Sequence, residues 1–179
     1  MCESCQGLGT QMDITPDLII TDPNLSINEG ALRYYGEVKK KEGWTVNTLQ
    51  SIAKHYKFSL DTPWNKLPEN TRHAIMYGSD GESIKFKYET ANGKWTGESD
   101  RPLYGIIYNI QRRYRETSSE GSRQWYESFM SEQPCPDCNG ARLSPAARAV
   151  KVVDKTISQV SQFSIEEAHE WVVNLEKKL

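Results

Sequence analysis

A chain of 179 residues has room for one domain, or for a small domain with an added module, and is long enough to bury a sizeable core. Its 22 Lys and Arg against 24 Asp and Glu leave a formal charge of −2, so no global excess marks a nucleic-acid or membrane binder and any basic patch must be local. The longest strongly apolar run, Leu103 to Tyr108, covers six residues where a membrane span needs about 20, and no charged start followed by an apolar run opens the chain; a soluble protein with no membrane partner is expected.

The first element is Cys2-Glu-Ser-Cys5-Gln-Gly7, and its pattern, C-x-x-C-x-G, returns near the other end as Cys135-Pro-Asp-Cys138-Asn-Gly140. Two residues between cysteines let a tight turn aim both sulfurs at one point, and a glycine two positions on permits a left-handed turn that directs backbone N–H groups toward the thiolates. Two such knuckles supply four thiolates, a closed tetrahedral set that would hold one structural zinc ion and leave no position for a catalytic water. A redox C-x-x-C, a pair of disulfides, and four unrelated thiols are the competing readings. The 129 residues between Cys5 and Cys135 far exceed the roughly 15 to 20 of an ordinary zinc ribbon, so the finger carries a whole domain as its insert.

Within the insert, Met12 to Leu32 mixes apolar residues with Pro16, Pro23, Asn24 and Asn28 and reads as loops and short elements. Val46, Leu49, Ile52, Ala53 and Tyr56 share one face of a helix predicted over Thr45 to Phe58, and a second helix over Leu67 to Tyr77 is closed by Gly78. Ile84, Phe86 and Tyr88 alternate with charged residues from Glu82 to Glu89, and Asn92-Gly93 offers a type I′ turn into Lys94 to Glu98, which makes a β-hairpin. Facing inward, the three apolar residues would pack on Leu49, Ile52 and Tyr56. A charged helical stretch runs from Ile110 to Met130, with Thr117, Ser118, Ser119 and Gly121 as candidate interruptions. After the second knuckle, Ala149 to Val153 is expected as a strand, and Ser164 with Glu167 forms a capping box before a helix carrying Ile165, Ala168, Trp171, Val172 and Leu175.

No phosphate-cradling loop, nucleophile elbow or H-E-x-x-H motif is present, and His55, His73 and His169 fall on separate helices with no carboxylate or serine at a catalytic spacing. No catalytic residues are therefore assigned. Positive charge collects between Lys85 and Arg115, where Lys85, Lys87, Lys94, Arg101, Arg112, Arg113 and Arg115 give a local +4 against −6 for the remainder. Tyr104, Tyr108 and Tyr114 interleave with the arginines, placing aromatic faces for bases beside cations for phosphates. A solvated helix face with its tyrosines in the core explains the same residues equally well.

The stretch Gly105-Ile-Ile-Tyr-Asn-Ile-Gln-Arg-Arg-Tyr-Arg-Glu-Thr-Ser-Ser119, with Met130-Ser-Glu-Gln-Pro-Cys-Pro-Asp-Cys-Asn-Gly-Ala-Arg-Leu143, resembles the UvrA family of bacterial nucleotide excision repair. The first knuckle and Ala149-Val-Lys-Val-Val-Asp-Lys-Thr-Ile-Ser158 are similar to the same region. The resemblance implies an α+β fold in which residues 1–10 and 132–145 are two zinc half-knuckles, 11–131 an insertion domain, and 146–179 a strand-helix piece of the ATP-binding half. It implies contact of the insert with double-stranded, damaged DNA, for which the charge and aromatic pattern offers Lys85, Lys87, Lys94, Arg101, Arg112, Arg113, Arg115 and Tyr114. ATP hydrolysis, a UvrB-like partner and a homodimer would belong to a full-length cytoplasmic parent, since the chain holds no Walker motif and reads as an excised piece. The runner-up is a DnaJ-type protein-binding module, because Cys2 to Gly9 fits C-x-x-C-x-G-x-G; the second knuckle lacks the further glycine.

Overall fold

Described over residues 1–89 and 96–175, the computed structural model divides the chain into two units, Met1–Asp13 with Glu132–Leu179 and Ile14–Ser131. The elements in chain order are β1 (Thr10–Ile14), α1 (Pro16–Ile19), α2 (Trp44–Tyr56), α3 (Glu69–Tyr77), β2 (Gly78–Glu89), β3 (Thr96–Tyr104), α4 (Ile106–Glu116), α5 (Glu120–Glu127), β4 (Met130–Pro134), α6 (Pro145–Ala149), β5 (Lys151–Val152), β6 (Lys155–Thr156), α7 (Ile157–Val160) and α8 (Ile165–Leu175). Among the described residues, three two-stranded sheets pair β1 with β4, β2 with β3, and β5 with β6. Helices and small sheets make the α+β class expected.

The hairpin organises the larger unit. β2 and β3 are antiparallel with Ile84 opposite Arg101, Phe86 opposite Ser99 and Glu89 opposite Thr96. Because side chains alternate along a strand, Ile84, Phe86 and Tyr88 all reach one face, where they are buried with Leu49 and Ile52 of α2 while Tyr56 packs at the margin. The predicted register is therefore the observed one. The Asn92-Gly93 turn and Lys94 lie outside the described residues. Trp64, Ile75, Ile106, Ile110 and Phe129 complete the same core.

The C-terminal end of α2 and the N-terminal end of α3 are set by backbone chemistry. α2 stops at Tyr56 because Lys57 turns left-handed at φ 55°. α3 starts at Glu69, not Leu67, because the ring of Pro68 disfavours the helical conformation in the residue before it, and Leu67 and Pro68 are both extended, at ψ 143° and 147°. Along the free side of β2, the Lys87 N–H donates to Ser51 Oγ at 3.1 Å and Asn47 Nδ2 donates to the Glu89 carbonyl at 2.7 Å. At the base of the hairpin two glycines permit a close backbone crossing. A Cβ on Gly105 would lie 2.3 Å from the Met76 carbonyl oxygen, and one on Gly78, at φ +118°, would lie 2.6 Å from that of Leu103. No larger residue fits at either place.

The charged stretch predicted from Ile110 to Met130 is two helices. Thr117 takes an extended conformation after α4, and Ser119 starts α5 by accepting a hydrogen bond from the Ser122 N–H at 3.4 Å, so the Ser/Thr group breaks the helix while Gly121 sits inside the first turn of α5.

In the smaller unit the strand expected over Ala149 to Val153 shrinks. Ser144 caps α6 through the Ala147 N–H, so Ala149 is helical, and only Lys151 and Val152 pair, with Thr156 and Lys155. The capping box of α8 is present, with the Ser164 N–H donating to Glu167 Oε2 at 2.7 Å and the Glu167 N–H donating to Ser164 Oγ at 3.2 Å. Among the described residues no helix is long and apolar enough to cross a membrane.

Candidate metal centre and nucleic-acid interface

The two knuckles fold alike. Gly7 and Gly140 both take φ +81°, and Gln6 and Asn139 before them both take φ 49°, so each C-x-x-C is followed by the same left-handed turn. That turn brings the Gly9 N–H to Cys5 Sγ at 3.3 Å and the Arg142 N–H to Cys138 Sγ at 3.4 Å, in each case four residues beyond the cysteine. The donor is thus two positions past the glycine that makes the turn. Cross-links repeat the pairing, with the Cys135 N–H on the Gly9 carbonyl, the Cys2 N–H on the Arg142 carbonyl, and Ser4 Oγ donating to Asp137.

All four sulfurs lie within 4.8 Å of one another, and all four cysteines are buried and free. Cys2 and Cys135 are 3.9 Å apart and Cys5 and Cys138 3.7 Å apart, far beyond the roughly 2.05 Å of a disulfide bond. Four thiolates around one ion with bonds of about 2.3 Å would stand about 3.8 Å apart at tetrahedral angles. The donor set therefore fits a metal ion. Burial pushes the Cys5 thiol up, but N–H donation from Gly9 and the neighbouring Cys138 and Cys2 thiols outweigh it and hold Cys5 at about 7. Cys135 stands at about 11: N–H groups of Cys138 and Asp137 pull it down, while burial and the Cys138 and Cys5 thiols push it up further. Four thiols this close cannot all ionise unless a cation balances them.

The candidate DNA-contacting residues separate into groups. Lys85 and Lys87 project from the outer face of β2 and are tied to Glu98, Lys87 at 2.6 Å and Lys85 at 3.7 Å. The Glu98 carboxyl is held below its usual range by the Lys87 hydrogen bond and charge. With Asn47, Lys54 and His55 these lysines line a groove of about 930 Å³ that also contains Glu89 and Glu98. Arg101, opposite Ile84, lies on the other face of the hairpin, with its guanidinium 4.3 Å above the Phe86 ring and donating to Tyr88 Oη at 3.0 Å.

Arg101 instead joins Arg112 and Arg113. These three, with Lys41, line a second groove of about 620 Å³ whose walls carry Trp44, Tyr104, Tyr108 and Trp125. Arg112 also pairs with Glu116 one turn along at 2.8 Å, while Arg113 is kept charged by the Tyr126 hydroxyl and by Tyr34. Arg115 is exposed and lines neither groove. Tyr114 faces inward: its hydroxyl donates to Glu127 at 2.9 Å and Arg123 lies over its ring. One continuous basic surface does not form from these side chains. Lys41, Trp44 and Trp125 went unnoticed in the sequence because the Lys41–Trp44 segment and Trp125 meet the α4 arginines only through packing of elements distant in the chain.

A four-cysteine module able to hold a metal ion, whose cysteines flank an α+β insert with a local cluster of arginines and lysines, is what the fold and site define. The model of the family described as UvrA DNA-binding domain matches residues 16–128, and the chain belongs to that family. UvrABC system protein A of Bradyrhizobium diazoefficiens is 42% identical over 170 residues, covering 95% of this chain and 17% of its own length. The protein of that name from Methanothermobacter thermautotrophicus is 40% identical over 174 residues, covering 97% of this chain and 18% of its own. The chain thus spans about a sixth of the length of these relatives. The crystal structure of UvrA2 from Deinococcus radiodurans superposes with a TM-score of 0.65 at 21% identity, over 97% of this chain and 22% of that one, a likeness of fold. The DnaJ-type reading is set aside by this membership.

Proposed function

We propose that this chain is the DNA-contacting insertion domain and zinc module of a UvrA-like nucleotide excision repair protein. The observation that carries the reading is coincidence: the match to a DNA-binding family over 16–128 falls on the separately folded unit Ile14–Ser131, and that unit holds the basic side chains. Zinc is the metal for the Cys2, Cys5, Cys135 and Cys138 site, since four buried thiolates are a soft, closed donor set. Its role there is to join the two knuckles; no water or substrate position remains on it. On this reading phosphates are taken by Lys85, Lys87, Lys94, Arg101, Arg112, Arg113 and Arg115, while Tyr114, bonded to Glu127, supports α4 from within. ATP turnover, a UvrB-like partner and dimerisation belong, on this reading, to the longer cytoplasmic protein.

The test is a titration of the zinc-loaded chain with duplex DNA at two salt concentrations. Each phosphate neutralised adds about 0.9 to the slope of log affinity against log salt. Replacing Arg112 and Arg115 together by Ala should weaken binding to all duplex sequences alike and flatten the slope, because phosphate contacts carry no sequence information. Unchanged affinity and slope in the double variant would remove these arginines from the interface.

A further inference from the structure

The two grooves of the larger unit differ in what they offer a ligand. The groove beside Lys85 and Lys87 also holds two glutamates, whereas the groove of Lys41, Arg101, Arg112 and Arg113 has no carboxylate among its described lining residues. Four cations therefore face one concavity without internal neutralisation there, apart from the Glu116 partner of Arg112 at its margin. Its aromatic walls are open to solvent: Trp44 is 62% exposed, Tyr104 50%, Tyr108 41% and Trp125 40%. They are also held flat and firm. Trp44 stacks on Tyr88 with centroids 4.0 Å apart and planes within 6°, Tyr104 and Tyr108 stack at 4.8 Å, and Trp125 is braced edge-on by Phe129 at 4.8 Å. A ring already supported on one side presents its other face at little further cost in side-chain ordering.

Exposed aromatic faces beside cations that no carboxylate of the groove wall neutralises are the equipment for binding unstacked bases and the phosphates that join them. Duplex DNA cannot use it, because paired bases show their edges and not their faces. We propose that this groove binds an unpaired stretch of DNA, stacking bases on Trp44, Tyr108 and Trp125 while Lys41, Arg101 and Arg112 hold the adjoining phosphates. The proposal rests on the DNA-binding reading above and adds to it a preference for strand openings. Stacking discriminates weakly among bases, so the groove recognises exposure of a base and not its identity.

The experiment compares three probes at one salt concentration: an oligothymidylate, a fully paired duplex of the same length, and that duplex with a central unpaired thymine bubble. The bubble should bind at least about tenfold tighter than the paired duplex, with quenching of tryptophan fluorescence that is largely lost in Trp44→Phe with Trp125→Phe. Trp44→Ala and Tyr108→Ala should each lower affinity for the bubble and the oligothymidylate by about tenfold while leaving the paired duplex within twofold, and Tyr108→Phe, which keeps the ring, should restore binding. Equal affinity for bubble and duplex, or equal losses on both, overturns the groove as a base-binding site while leaving duplex binding intact. Absence of binding to all three probes removes the DNA-binding reading along with it. Tighter binding of an acidic peptide than of the oligothymidylate would also overturn it, in favour of a protein ligand.

Discussion

The two units are held by different physical means. In the larger one, Phe86, Ile84, Ile106, Ile110 and Phe129 are wholly excluded from water and belong to one continuous apolar cluster. In the smaller one, the buried cluster is the four cysteines, with Ala141 as the hydrophobic residue packed against them, and none of α6, α7 or α8 carries a buried residue. Apolar burial accumulates over many contacts and survives the loss of any one, whereas a site of four ligands concentrates its contribution in a single ion. The larger unit should therefore fail gradually under substitution and the smaller one abruptly.

The largest effect expected is on the knuckles. Structural zinc contributes apparent binding free energies of about 10 kcal/mol or more in small domains, so a strong chelator, or Cys135→Ser, should melt the fold around Cys2, Cys5 and Cys138. The dispersed amide spectrum of residues in Ile14–Ser131 should persist under the same treatment. Simultaneous collapse of both units on chelation would erase the contrast. Next comes Phe86→Ala, which should cost the larger unit about 3 to 5 kcal/mol in denaturant unfolding and leave the zinc content at one ion per chain. The smallest effect concerns Glu29, whose carboxylate accepts from the Ser26 N–H at 3.0 Å and from Ser26 Oγ at 2.8 Å. These hydrogen bonds hold its carboxyl below the ordinary 4.5, so their stabilisation is complete above that pH and is lost as pH falls through the lower, folded value. Thermal melts from pH 7 to pH 3 should show Glu29→Gln converging on the unaltered protein at the acid end, and a constant gap between them would refute the assignment.

How far the chain could be read from its sequence varied with the range of the interactions involved. The knuckles were legible because each is a local turn whose chemistry is written within six residues, and only their meeting is long-range. Alternation in Ile84, Phe86 and Tyr88 sufficed to orient β2, since a strand with one buried face cannot slip by one residue. Charge counting along the segment pooled Arg101 with Lys85 and Lys87 and could not separate the two faces of the hairpin, whereas the observed pairing sets Arg101 opposite Ile84 and so on the inner face. The aromatic groove was legible only on its α4 side, where Tyr104 and Tyr108 interleave with Arg112 and Arg113; Trp44 and Trp125 reach it from two other helices, which no local spacing reveals. Pro68 and Ser119 displaced helix boundaries by local backbone chemistry that periodicity does not register.

The hydrogen bonds between α2 and the free side of β2 have a further consequence. A two-stranded ribbon normally presents an open row of N–H and C=O groups, a template on which another extended chain can dock. Here Ser51 occupies the Lys87 N–H and Asn47 occupies the Glu89 carbonyl, so an incoming strand meets a helix where it needs vacant partners. Ser51, itself buried and donating to the Asn47 carbonyl at 2.8 Å, is thereby held as the acceptor that closes the β2 edge at Lys87 to strand addition.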